Sequence, residues 1–174
     1  DALVAGITLN IFNKHCDRVK MACIAQMVNV LQAVILTEGE KMIKTPTYHV
    51  FHMYRHHQGA ELLSSELNDV KKIGTEEWSV PEITESVSKK DGIITITLNN
   101  LSTTDSKEIE IVLTEKDKYE VVEANVVTND SMNAHNTFEN PENVKEVEFT
   151  DYKVNGNVVT AVLPGCSVVE IRIK

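Results

Sequence analysis

Cysteine is scarce in this chain of 174 residues, which carries only Cys16, Cys23 and Cys166. The count is odd and no two cysteines have Cys-x-x-Cys spacing, which argues against an oxidising environment. Cys23 lies in an apolar run and is expected to be a small buried side chain. Cys16 follows His15, but nothing in the sequence lowers its thiol pKa, so a structural role is favoured over a nucleophile.

Positive charge is also in short supply. Seventeen Lys and Arg residues face 26 Asp and Glu residues, for a formal net charge of -9. This balance argues against nucleic acid or an anionic membrane as a partner. No apolar run reaches transmembrane length. The sequence has no P-loop, no Gly-x-Gly-x-x-Gly and no Gly-x-Ser-x-Gly, and no cofactor is expected.

Aromatic residues make up 5% of the chain, with one Trp, so a lectin-like row of exposed rings is hard to build. Glycoside hydrolysis needs two carboxylates, and Glu76-Glu77-Trp78 places such a pair beside an aromatic ring. That stretch lies among short predicted strands, away from the predicted buried strand. We interpret it as unrelated to catalysis, and the remaining carboxylates as a solvated acidic face.

The most informative stretch is nearly continuously apolar from Val19 to Val28. It predicts a strand over 18–26 that is buried on both faces, as in a parallel sheet. Gln26 is its anomaly, because a buried carboxamide costs free energy unless it is hydrogen-bonded. Either neighbouring backbone satisfies it, or it contacts a ligand at the carboxyl end of the strand, where parallel α/β folds bind ligands.

Two helices flank this strand. Residues 1–15 predict the first, with an apolar stripe at helical spacing formed by Leu3, Val4, Ile7, Ile11 and Phe12. Thr45-Pro46 is a good helix start, and Gly59 suits the residue that ends a helix, so the second is expected over 46–58. Between them, 34–37 and 42–44 predict a hairpin.

After Gly59 the hydrophobic period changes to two. Ile94, Ile96 and Leu98 alternate with polar residues, and similar alternation surrounds 109–113, 147–149 and 169–173. This pattern predicts antiparallel sheet with one wet face, and Asn155-Gly156 predicts a tight hairpin turn. Many short strands without intervening helices indicate a β-sandwich or jelly roll. The loop over 129–143 is long enough to suggest a functional or packing role.

Four histidines crowd the second helix. His49, His52 and His56 share a helical face, which makes a metal site conceivable. No carboxylate accompanies them as in His-Glu-x-x-His, so solvated or helix-end histidines are the favoured interpretation, and no metal is expected.

The whole chain resembles the C-terminal portion of α-L-arabinofuranosidases of glycoside hydrolase family 51. The matching stretches, in order, are Asp1-Ala-Leu-Val-Ala-Gly-Ile-Thr-Leu-Asn10, the run from His15 to Val30, Thr45-Pro-Thr-Tyr-His-Val-Phe51, Ala134-His-Asn-Thr-Phe-Glu-Asn-Pro141 and Leu163-Pro-Gly-Cys-Ser167. The resemblance implies that 1–58 is the terminal αβα segment of a (β/α)₈ barrel and that 59–174 is a mainly β, jelly-roll-like C-terminal sandwich. It also implies that Gln26 reaches into the sugar subsite.

The stretches that carry the family's two catalytic Glu residues are expected upstream of Asp1, and Glu77-Trp78, which looks like the second of them, follows the last barrel helix and is not given that role. One follows an Asn and one precedes a Trp on earlier barrel strands, and the chain opens at Asp1 without an initiator Met. We therefore expect a C-terminal fragment with no catalytic residues of its own. The parent is expected to release terminal α-L-arabinofuranosyl groups with retention, and to be a cytoplasmic homo-oligomer. The alternative is a non-catalytic, carbohydrate-binding or structural sandwich module. Barrel surface left without its neighbours is expected to fold onto the sandwich, pair with another copy or aggregate.

Overall fold

A computed structural model describes all residues from 1 to 174. Two α-helices, α1 (Ala2–Lys14) and α2 (Pro46–Tyr54), and a short 3₁₀ helix (Arg55–His57) accompany thirteen strands. The strands are β1 (Ile35–Glu38), β2 (Lys41–Lys44), β3 (Glu61–Leu62), β4 (Lys72–Gly74), β5 (Ser79–Pro81), β6 (Ile83–Lys90), β7 (Ile93–Asn100), β8 (Lys107–Val112), β9 (Val121–Val127), β10 (Glu146–Glu148), β11 (Tyr152–Asn155), β12 (Val158–Leu163) and β13 (Ser167–Ile173). Neither α-helix has the length and apolarity needed to cross a membrane.

The strands form two principal antiparallel sheets, which confirms the predicted mainly β, sandwich-like class. One sheet has six strands in the order β10-β9-β13-β7-β6-β3, and the other has three in the order β11-β12-β8. The main core lies between them and includes Ile96, Val159, Leu163 and Ile171, all essentially inaccessible to solvent. The hairpins β1-β2 and β4-β5 stand apart from both sheets.

The two helices cover the outer face of the six-stranded sheet. Val50 and Met53 of α2 are fully buried against Val127 of β9 and Val168 of β13, and α1 adds apolar contacts to this second cluster. The molecule therefore has three layers: helices, the six-stranded sheet and the three-stranded sheet. The predicted division into 1–58 and 59–174 places the helical layer in the first part.

Helix α1 forms as predicted, and its apolar stripe is only partly covered, since Leu3, Ile7 and Phe12 are half-buried. Val4 and Ile11 of the apolar stripe are exposed, whereas Gly6 and Asn10 are buried. A Cβ at Gly6 would lie 2.3 Å from Asn99 Oδ1, so glycine permits this close approach of the helix to β7. The helix thus turns a small and polar face towards the sheet.

The strand predicted over 18–26 is not formed. These residues have no regular secondary structure, and Cys23, expected to be buried, is exposed. Met21 is 81% exposed and Met27 is 62% exposed. A parallel strand exists through hydrogen bonds to its neighbours, and no other strand of this chain lies beside 18–26 to provide them.

The hairpin and second-helix predictions are confirmed, with one change. The Thr45 hydroxyl accepts a hydrogen bond from the Tyr48 amide at the start of α2. The α-helical part ends at Tyr54, short of the predicted Gln58, because the chain tightens into the 3₁₀ helix. Gly59 has φ +65°, as expected of a helix-ending glycine.

The single wet face is confirmed for β8, whose residues alternate between half-buried and exposed. It is wrong for β7 and β13, where Thr95, Thr97, Asn99 and Glu170 are all buried. These side chains lie on the sheet face that the helices cover. The predicted hairpin joins β11 to β12, but its two loop residues are Gly156 and Asn157, one position later than expected.

Candidate functional site

Gln26, the predicted substrate contact, lies in the irregular segment between α1 and β1, and its side chain is exposed. The residues just before it, Ala22 to Ile24, line a small cavity of about 150 Å³ together with Phe12 of α1 and Phe51 of α2. The structure thus holds this segment against the helical layer. The role of Gln26 stays a prediction.

A larger open cavity of about 730 Å³ lies between the start of α1, residues 30–33 and the loop that follows β9. Most of its lining is apolar, including Leu3, Ile7 and Leu31, and Leu31 is itself 89% exposed. An apolar recess of this kind suits packing rather than acid–base chemistry.

The loop over 129–143 forms one wall of this cavity and has a packing role. The buried Asn136 side chain donates to the carbonyls of Lys44 and Val144, both at 2.8 Å, and accepts from the Val144 amide at 2.7 Å. These bonds tie the loop to β2. A buried carboxamide with all its partners stabilises one loop conformation.

Between α1 and the six-stranded sheet lies a buried polar interface centred on Asn10. Three hydroxyl groups lie within 2.9 Å of Asn10 Oδ1, those of Tyr54, Ser86 and Thr97. Asn10 Nδ2 donates to Thr84 at 3.2 Å. Burial raises the pKa of Tyr54, so its hydroxyl stays protonated and acts as a donor. Such a network favours one arrangement of the helix on the sheet, because a buried polar group left without a partner costs free energy.

Lys14 extends the same interface to the end of α1. Its ammonium group lies 2.5 Å and 2.6 Å from the two carboxylate oxygens of Glu85 on β6. The Ser65 hydroxyl also donates to Glu85, at 2.9 Å. Because Glu85 is buried, this pair anchors the last turn of α1 more firmly than an exposed ion pair would.

Three histidines at the end of the second helix cross the same sheet; we call His52, His56 and His57 the histidine clasp. His52 Nδ1 lies 2.7 Å from Glu146 on β10, and His56 Nδ1 lies 2.6 Å from Glu170 on β13. His57 bonds the Ser88 hydroxyl on β6 at 2.7 Å and the Thr97 hydroxyl on β7 at 3.1 Å. Consecutive turns of one segment thus reach four strands.

The histidines predicted to share a face do not converge, since His52 bonds Glu146 and His56 bonds Glu170. No three His, Cys, Asp or Glu side chains in the chain are arranged to hold a metal ion. Burial lowers the pKa of His49, with Lys44 and His52 adding to the effect against the opposing charge of Glu146. The clasp is therefore a hydrogen-bonded contact between helix and sheet.

The central pair of the clasp is neutral near pH 7. Burial raises the pKa of Glu170 to about 8, and the charge of Glu123 adds to this effect. Burial lowers the pKa of His56 to about 4, helped by Arg172 and Arg55. Protonated Glu170 then donates to neutral His56 Nδ1. Glu170 Oε2 and Arg172 Nε are buried without a hydrogen-bond partner.

The second buried histidine of the clasp, His57, is neutral as well. Burial lowers its pKa to about 4, and neighbouring His56 contributes. A neutral imidazole has one N–H and one lone pair, which matches a ring held between two hydroxyls that can each donate or accept. Protonation would leave both ring nitrogens as donors.

The sequence pattern does not predict this polar interface, although two features of the sequence point to it. Asn10 lies three residues after Ile7 and seven after Leu3, so helical spacing places it beside the apolar stripe of α1. Alternation alone predicts that Thr95, Thr97 and Asn99 lie on a wet face. In the fold, the histidines crowded at the end of the second helix lie next to these strands and link them to the helical layer.

The chain matches the model of the α-L-arabinofuranosidase C-terminal domain over residues 1–167. It is 38% identical over its whole length to an intracellular exo-α-L-arabinofuranosidase of Bacteroides ovatus, covering 34% of that protein. It is 30% identical to an intracellular exo-α-(1→5)-L-arabinofuranosidase 1 of Bacillus subtilis, covering 35% of it.

Among solved structures, a family 51 arabinofuranosidase from Xanthomonas axonopodis pv. citri superposes on the entire chain with a TM-score of 0.93 and 39% identity, and the chain covers 35% of it. The chain thus spans about a third of the length of the relatives it matches. It belongs to the family of α-L-arabinofuranosidase C-terminal domains.

Proposed function

We propose that the chain is the C-terminal third of an α-L-arabinofuranosidase that removes terminal α-L-arabinofuranosyl groups from arabinose-containing polysaccharides and oligosaccharides. The observation that carries this proposal is the family match over 1–167, together with relatives that are arabinofuranosidases about three times as long. The parent reaction is hydrolysis with retention through a covalent glycosyl-enzyme, which requires two carboxylates about 5 Å apart.

The chain by itself is inactive in this proposal, because the two catalytic carboxylates belong to earlier barrel strands. Its buried glutamates already have other partners: Glu85 pairs with Lys14, Glu82 with Lys107 and Glu170 with His56. The purified chain is expected to release no product from an aryl α-L-arabinofuranoside. A longer enzyme that includes the preceding barrel is the control, and turnover by the short chain alone would overturn this part of the proposal.

Residues 18–26 become the last barrel strand when the other barrel strands are present. The support is the apolar run itself, whose Met21 and Cys23 are exposed here, and the superposition of the whole chain on a complete family 51 enzyme. Gln26 then lies at the carboxyl end of a parallel strand. There its carboxamide donates to and accepts from arabinofuranose hydroxyls.

The role of Gln26 is tested by Gln26→Ala in the longer enzyme. We expect a higher KM or a lower kcat, because a polar contact to sugar hydroxyls is lost. Gln58→Ala is a matched control, since Gln58 is also exposed but follows the 3₁₀ helix. If Gln26→Ala had the same kinetics as the wild type, Gln26 would have a structural role and not a role in binding the sugar.

The proposal also includes the division of the chain into 1–58, as the end of the barrel, and 59–174, as the sandwich. The parent is a cytoplasmic homo-oligomer with no nucleic-acid or membrane partner, supported by relatives named intracellular and by the net charge of -9. Light scattering of the longer enzyme tests the oligomer. A single monomeric species at micromolar concentration would refute it.

A further inference from the structure

The turn between β4 and β5 presents the one Trp of the chain to solvent. Trp78 is 79% exposed, and every residue from 74 to 81 is exposed. Large aromatic side chains are usually buried or used at binding surfaces, since each offers 150–250 Å² of apolar area. We call residues 72–81 the Trp78 hairpin.

Hydrogen bonds within the turn hold its shape, although it carries no core residue. The Thr75 amide donates to the Trp78 carbonyl at 2.8 Å, and the Trp78 amide donates to the Thr75 hydroxyl at 3.1 Å. Gly74 has φ +125°, and a Cβ there would lie 2.2 Å from the Trp78 carbonyl oxygen. These contacts restrict the backbone at Trp78 before any ligand binds, which lowers the entropic cost of binding.

The chemistry beside the ring suits a neutral, hydroxyl-rich ligand. Glu76 and Glu77 are exposed, and neither takes part in any of the eight ion pairs of the chain. Their oxygens are free to accept hydrogen bonds from hydroxyl groups. The net charge of -9 opposes a polyanion at this place.

The size of the apolar surface argues against a protein partner. A stable protein interface buries about 1,200 Å² or more. Here the exposed large apolar side chains are Trp78 and Val80, on a narrow projection. A sugar ring is smaller, and its C–H face and hydroxyl rim match an aromatic ring flanked by carboxylates.

We propose that the Trp78 hairpin is a contact site for the arabinose-rich polysaccharide on which the parent enzyme is proposed to act, so the inference rests on that function. The indole stacks on the C–H face of a furanose ring, and Glu76 and Glu77 accept hydrogen bonds from its hydroxyls. A single ring gives a weak site that holds a long chain near the enzyme.

The single Trp makes the test direct. Titrating the 174-residue chain with linear α-1,5-arabino-oligosaccharides should give a saturable change in Trp fluorescence. In native gels containing linear arabinan, the wild type should be retarded. Trp78→Ala should lose at least three-quarters of that retardation, and Glu76→Gln/Glu77→Gln should lose part of it. Val112→Ala, which trims an exposed apolar side chain on β8, should migrate like the wild type.

Three results would overturn the proposal: no retardation of the wild type, equal retardation of Trp78→Ala, or a fluorescence change that follows protein concentration without saccharide. The last would assign Trp78 to contact with a second copy. Turnover of an aryl arabinofuranoside by the longer wild-type enzyme separates the two hypotheses. Activity without retardation removes this inference alone, whereas retardation without activity removes the proposed function and leaves a saccharide-binding surface.

Discussion

Replacing Glu170 by Gln should stabilise the protein increasingly as the pH rises. Glu170 is inaccessible to solvent on β13, 2.6 Å from His56 Nδ1, and Arg172 on the same face pairs with Glu123 at 2.6 Å rather than with Glu170. The carboxyl group is protonated at pH 7, since its pKa is about 8. Gln keeps the shape and a donor towards His56, but it cannot ionise.

The direction of this change of stability with pH follows from proton linkage. The folded pKa of Glu170 lies above its usual value of 4.5, so the folded state binds this proton more tightly than the unfolded state does. The stability it contributes is fully present below pH 4.5 and is lost as the pH rises to about 8. One pH unit corresponds to about 1.4 kcal/mol, which places the loss at about 3 kcal/mol by pH 7. Glu170→Gln has no such loss.

Urea unfolding between pH 4.5 and 8.5 measures this effect. The free energy of unfolding of Glu170→Gln minus that of the wild type should increase by about 3 kcal/mol from pH 4.5 to 7. Glu110→Gln, at an exposed position on β8, is the control and should give a flat difference. If Glu170 were instead ionised against a charged His56, the Gln variant would lose about 3–5 kcal/mol at pH 7. A pH-independent or destabilising result would therefore refute the neutral pair.

Three further variants test the helix-to-sheet contact by urea unfolding. The pKa of His57 is lowered to about 4, so its contribution to stability is present above pH 6.5 and is lost as the pH falls towards 4. His57→Asn should reduce this loss of stability at acid pH. An unchanged slope of the unfolding free energy against pH would contradict the assignment. Asn10→Ala should cost about 3 kcal/mol, because several buried hydroxyls lose their shared acceptor, and a loss below 1 kcal/mol would show that they find other partners. Gly6→Ala should destabilise by about 1–3 kcal/mol through the clash with Asn99, although Gly→Ala within a helix normally stabilises by about 1 kcal/mol; a stabilised variant would show that the helix shifts freely.

Local signals in the sequence were sufficient for much of the fold. The start of α2 rests on Thr45 and Pro46, which act within one helical turn, and it is observed where predicted. The alternation in β8 and the turn before β12 are equally local, and both give the expected elements, the turn one residue late. Such features are predictable because their partners lie close in sequence.

The errors concern contacts between residues far apart in sequence. A strand over 18–26 needs neighbours to pair with, and its apolar run cannot reveal whether they are present. The polar faces of β7 and β13 read as solvated, because alternation distinguishes two faces of a strand but does not say what covers the second. Asn10 and Thr97 are 87 positions apart, and only the folded chain brings their side chains within 2.8 Å.

The orientation of α1 on the sheet links these observations. A surface helix normally buries its apolar stripe, yet here Gly6 and Asn10 are buried and Val4 and Ile11 are exposed. Leu31, which is 89% exposed, lines the same cavity as Leu3 and Ile7 and extends this apolar surface. A helix with a polar contact on one side and a partly exposed apolar stripe on the other is suited to lie between two bodies. The polar side meets the sandwich through the Asn10 network and the Lys14–Glu85 pair, and the exposed part of the apolar side is free for the barrel that the proposed function requires.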